Sequence, residues 1–296
     1  MATEYLQHKK KLKGIRYMLL AIALINALIT IAFKVIASFK GELIPMYLPS
    51  MLVGLFAYII PIMIYAKINN ITDKVAAEKF YLKKASGNTL LLSAIIGIGC
   101  QFVMVIVNLP LNLLLDGATS YLPESIAELF LATIAIALVP AIFEEFLFRG
   151  IVYGSMAEFN TKAALIFSVS VFTILHADIY GFLGYIFLGI ILAVIVSRTN
   201  SLLPAIVCHF TNNFTALLLG FFNNEITYDP SLTITLFVLG IICFIASFWV
   251  FISKNKKPDR VDRIKKSQLL GQSFINVPII LCIVVIVITG IITRTI

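Results

Sequence analysis

Glu144 and Glu145 are followed four positions later by Arg149, all within the apolar stretch 140–153. With nine Glu and six Arg in the chain, a Glu-Glu-x-x-x-Arg match is expected by chance only about 0.005 times. Glu145 and Arg149 are spaced to share a helical face, where an ion pair lowers the cost of burying both. Glu144 is directed elsewhere. With no partner from its own helix and Phe and Leu around it, its carboxylate is desolvated and suited to general-base work. Pro140, one turn earlier, adds a local distortion and leaves a backbone carbonyl without its helical donor. A plainer reading is also open: both acids sit at a cytoplasmic helix end beside a topology-setting arginine.

Two further polar groups interrupt apolar runs. His176 follows Phe172 by four and precedes Asp178 by two, and His209 precedes Asn213 by four. His209 and Asn213 therefore project from one face and can converge on one small polar group. Taken alone, either histidine could simply bond a neighbouring helix. Taken together, three helices bring polar groups into a low-dielectric interior, where each is costly and marks a functional site. Depth gives a check. His176 lies about 13 residues, or roughly 20 Å, from the start of its helix. Glu144 reaches a similar depth only if its helix continues past Arg149 through Ile151, Val152 and Tyr153 to about Met156, which buries Arg149.

The elements that must hold these residues are transmembrane helices. The 296 residues are 60% apolar and 13% charged, against about 25% charged in soluble domains. Runs such as 232–251 are almost continuously apolar, unlike the alternating strands of a membrane barrel. The expected fold is an all-α polytopic membrane bundle of about nine spans, at 15–39, 44–66, 89–115, 125–157, 162–180, 182–198, 202–222, 231–253 and 273–293. Each run approaches the roughly 20 residues that cross a bilayer. A cytoplasmic N-terminus places 20 of the 23 Lys and Arg inside: Lys9, Lys10, Lys11, Lys13, Arg16, Lys67, Lys74, Lys79, Lys83, Lys84, Arg149, Lys162, Arg198 and seven between Lys254 and Lys266. Glu42, Asp116, Glu124, Glu225 and Asp229 then face outside, and the inverted topology breaks the positive-inside rule almost everywhere.

Several features need no functional account. The net charge of +8 lies beside spans and reads as contact with anionic lipid, not nucleic acid. Cys100, Cys208, Cys243 and Cys282 are scattered singly, without disulfide or zinc-knuckle spacing. Lys34 can snorkel to an interface, and Glu128 suits the first turn of its helix. The basic start leads into a full-length span without a small-residue cleavage site, so the first helix is expected to be retained. With no repeat or linker, residues 1–296 are expected to form one membrane domain.

Glu144-Glu145-x-x-x-Arg149, Phe172-x-x-x-His176 and His209-x-x-x-Asn213, in that order, resemble the CAAX prenyl protease type II family, the Abi or CPBP intramembrane proteases. The resemblance covers about residues 125–220, the expected catalytic core. It implies peptide-bond hydrolysis within the bilayer, in a cavity open to the cytoplasm. By that resemblance Glu144 activates water with help from His176, His209 and Asn213 stabilise the oxyanion, and Arg149 holds Glu145. A base and preorganised donors are what water attack on a carbonyl requires. Glu144, His176 and His209 could also ligate a divalent metal such as zinc and leave one position open. Against this, His-Glu-x-x-His is absent, and Asn213 is a better oxyanion donor than zinc ligand.

The leading expectation is therefore a multi-pass cell-membrane endopeptidase whose partners are lipid and a membrane-associated peptide or protein. A non-catalytic immunity or binding scaffold of the same fold is the alternative. A proton-coupled transporter is weaker, because no repeated halves or paired broken helices are evident.

Overall fold

A computed structural model describes residues 2–40, 45, 47–71, 81–115, 123–222, 229–256 and 263–295. Of the charges used above for orientation, Glu42, Lys74, Lys79, Asp116, Glu225, Lys257 and Arg260 lie outside the described residues. All regular structure among the described residues is helical. We number the helices α1 (Ala2–Lys40), α2 (Tyr47–Ile68), α3 (Gly87–Leu114), α4 (Ile126–Ala157), α5 (Thr161–Leu175), α6 (Phe182–Thr199), α7 (Leu203–Phe221), α8 (Pro230–Lys254), α9 (Lys266–Phe274) and α10 (Val277–Thr295).

Seven of these, α1 to α4 and α6 to α8, are long and apolar enough to cross a membrane. The pair α9 and α10, bent by 57°, makes an eighth if counted as one span. The fold is thus a polytopic helical membrane bundle. It differs from the expected nine spans at 162–180, where α5 has only 15 residues. At 1.5 Å per residue that is about 22 Å, short of a hydrocarbon core of about 30 Å. α5 stops because Ala177 adopts φ 52°, a left-handed conformation that ends helices and is usually filled by glycine.

Helix starts follow local capping chemistry. Ser86, Ser125, Asn160 and Asp229 are extended residues whose side chains accept from backbone N–H groups of the first turns of α3, α4, α5 and α8. Such caps satisfy donors that have no intrahelical partner. Glu128, three residues after Ser125, reaches back to accept from the Glu124 N–H at 3.0 Å, which accounts for an acid in that turn.

The described chain forms two compact units. The first comprises residues 1–81, 146–177 and 259–296. In it α1 packs along α10 and against α2, and α5 packs against α9 and the end of α4. Cys282 Sγ on α10 approaches the Leu19 carbonyl of α1 at 3.9 Å. The second unit comprises residues 82–145 and 178–258. Its centre is α3, which packs against α6, α7 and α8, and α7 also packs on the first part of α4. The α3–α7 approach is close at Gly97, where a Cβ would collide with Thr211 Oγ1 and the Cys208 carbonyl. Thr211 Oγ1 also donates to the Ala94 carbonyl at 3.1 Å.

Candidate active site

α4 is not uniformly α-helical. Thr133–Leu138 and Glu145–Tyr153 are π-helical, separated by the α segment Val139–Glu144. Pro140 stands at the start of that α segment and has no N–H to give the Ile136 carbonyl one turn back, so the wider turn before it has a local cause. Short π segments recur at functional sites. Here the second one begins at Glu145, so the change of winding falls between the two acids.

α4 continues to Ala157, and Arg149 is fully buried, as the depth argument requires. A helix ending at Gly150 is thereby ruled out.

In the second unit, α4 and α7 bring two acids and a histidine together. His209 Nδ1 lies 2.9 Å from Glu145 Oε1, and its Nε2 lies 4.0 Å from Glu144 Oε2. Glu144, Glu145 and His209 are all buried. The first distance is a charge-assisted hydrogen bond, which puts the Nδ1 proton toward Glu145 and turns Nε2 toward Glu144. A 4.0 Å gap is too long for direct bonding.

On the same face of α7, Asn213 Nδ2 donates to the Ile136 carbonyl at 3.3 Å. That is the carbonyl Pro140 cannot serve. Asn213 Oδ1 accepts from Asn212 Nδ2 at 3.2 Å, which leaves one Asn213 N–H for another acceptor.

Asp178 and Tyr185 also belong to this unit. The Asp178 carboxylate accepts from the Tyr180 and Gly181 N–H groups at 2.9 and 3.2 Å and from the Tyr185 hydroxyl at 3.1 Å. Tyr185 lies within electrostatic reach of Glu144.

The first unit holds Arg149 and His176. The Arg149 guanidinium carbon sits 4.3 Å from the centre of the Phe172 ring and 6.0 Å from that of Phe148, and those rings meet edge to face at 5.2 Å. A planar cation over an aromatic face is an attractive, desolvated contact. His176 caps the end of α5, with its Nδ1 2.7 Å from the Phe172 carbonyl. A carbonyl only accepts, so Nδ1 carries a proton and donates it there.

Glu144, Glu145, His209 and Asn213 thus gather in one unit, and Arg149 and His176 share Phe172 in the other. Two groups were missed in the sequence. Asn212 stands inside the quoted motif but was passed over for its neighbour. Tyr185 sits in an apolar run, and only the nearby Asp178 hinted at a polar partner. Among the described residues, no three His, Cys, Asp or Glu side chains are arranged to hold a metal ion. No step below runs through a metal.

Residues 126–215 match the model of the Rce1-like type II CAAX prenyl endopeptidases. This is the family that the three ordered motifs resemble. No curated protein and no solved structure matches the chain.

Proposed function

We propose that the chain is an intramembrane endopeptidase that hydrolyses peptide bonds of membrane-associated proteins or peptides at the cytoplasmic side of the cell membrane. The observation that carries this reading is the imidazole of His209, held by Glu145 on one nitrogen and presented to Glu144 on the other.

In this mechanism a water sits beside Glu144 Oε2 and His209 Nε2. Glu144 accepts its proton as the oxygen attacks the scissile carbonyl. With the ring protonated on both nitrogens, Nδ1–H stays on Glu145 and Nε2–H donates to the developing oxyanion, beside the remaining N–H of Asn213. The proton on Glu144 then passes to the departing amine. Donors fixed before the reaction need no reorganisation as charge develops, which is the main source of such stabilisation.

Glu144→Ala is the direct test, read by comparing membrane proteomes of cells carrying the wild type and the variant. Removal of a general base costs on the order of 10²–10⁴-fold. At least one membrane-associated protein should therefore accumulate uncleaved while the level of the chain itself is unchanged. Identical processing of every membrane protein in both strains would overturn the proposal.

A further inference from the structure

Asn212 is almost fully buried, and among the described residues its side chain makes one hydrogen bond, the donation to Asn213. Its own Oδ1 is buried without a hydrogen-bond partner among the described residues. A leucine of similar size would remove that unsatisfied acceptor, so packing alone gives no reason for an amide here. What the amide does is act on its neighbour. Asn213 is held at both ends, its Oδ1 by the Asn212 donor and its Nδ2 by the Ile136 carbonyl. Rotating the Asn213 amide by 180° would set two donors against each other at one end and two acceptors at the other. The Ile136 carbonyl is in turn the one that would pair with residue 140 in a regular helix, and proline there cannot donate.

We propose that Asn212 and Pro140 are positioning residues that fix the amide of Asn213 in a single orientation, so that it offers a hydrogen-bond donor to the site instead of its oxygen. Pro140 reserves the acceptor and Asn212 supplies the donor. The catalytic consequence rests on the proteolytic reading above. The geometry does not, and it can be measured without a substrate.

The test uses the full chain in detergent micelles, labelled with ¹⁵N-asparagine, with the Asn213 side-chain signals assigned by their loss in Asn213→Leu. One Nδ2 proton of Asn213 should be shifted downfield relative to the exposed Asn88. That shift should vanish in Asn212→Leu and Pro140→Ala and persist in Asn212→Gln. An Asn213 pair resembling that of Asn88 in the wild type, or one unmoved by Asn212→Leu, overturns the inference. In cells, the processing blocked by Glu144→Ala should slow at least tenfold in Asn212→Leu and partly recover in Asn212→Gln. The thermal midpoint of Asn212→Leu should not fall, which separates positioning from a structural role. If Glu144→Ala blocks processing and Asn212→Leu leaves it at the wild-type rate, the positioning inference fails and the proteolytic reading stands. If Glu144→Ala blocks nothing, the proteolytic reading fails and the amide signals alone decide the positioning.

Discussion

Arg149 shows how much a side chain's shape matters once water is gone. Its guanidinium lies over the face of Phe172, and a planar, weakly hydrated cation can be stacked there at a cost that a compact ammonium cannot match. Arg149→Lys should therefore destabilise the protein by roughly 2 kcal/mol, the order of a desolvated cation–π contact. A thermal unfolding midpoint in micelles reads this, and an unchanged midpoint would show that the stacking carries no weight. Residue types and spacing were enough to single out Glu144, Glu145, His176, His209 and Asn213, because ionisable and amide groups in an apolar run are conspicuous. Spacing on one helix does not say which neighbouring helix supplies the contact. The bond from Glu145 to His209 was therefore hidden, since its two ends are 64 residues apart. Pro140 was legible as a device that frees a carbonyl, but the side chain that takes up that carbonyl was not.

At the scale of elements, hydropathy finds helices well and finds their ends poorly. The run 162–180 reads as one span because His176 and Asp178 are short interruptions, and the break at Ala177 depends on a backbone angle that an alanine does not advertise. The same limit hides the 57° bend between α9 and α10: Asn276 caps α10 by accepting from the Ile279 N–H, with Pro278 in its first turn, and such signals mark a helix start without giving an angle. The alternation of α and π winding in α4 is likewise a matter of backbone hydrogen bonds, with only Pro140 to suggest it. Helix packing offers a sharper test. Gly97→Ala adds a Cβ that meets backbone at Cys208, so α3 and α7 must move apart, and overpacking of this kind costs typically 1–3 kcal/mol. Gly87→Ala is the control, because a Cβ there meets nothing within 4 Å. Parallel unfolding measurements should show a lowered midpoint for the first and none for the second; equal midpoints would refute the close approach. Because Cys208 adjoins His209, the Gly97 variant should also slow whatever processing Glu144→Ala blocks.

For the molecule as a whole, charge asymmetry carries the orientation. Cysteines placed at Ser231 and Lys256, at opposite ends of α8, test it in a Cys243→Ser background. An impermeant maleimide applied to right-side-out vesicles should label the Ser231→Cys protein and not the Lys256→Cys protein, which requires α5 to carry the chain across despite its length; the reverse pattern would mean that the chain does not cross at α5 or that the N-terminus faces outside. Composition made the all-helical membrane class plain, but the assembly of the chain into two units was not legible. Each unit draws on separated stretches, and hydropathy reports on neighbours along the chain, not on partners across it. The pairing of α1 with α10 is the extreme case, with Leu19 and Cys282 in contact across 263 residues. A ribosome adds roughly 5–20 residues per second, so α1 enters the bilayer some 10–50 s before the helix it packs against exists. During that interval lipid, or a protein of the insertion machinery, must cover the face that α10 will later take. The assembly of this unit is therefore timed by translation, and the newborn chain is most exposed to wrong partners just before synthesis reaches α10.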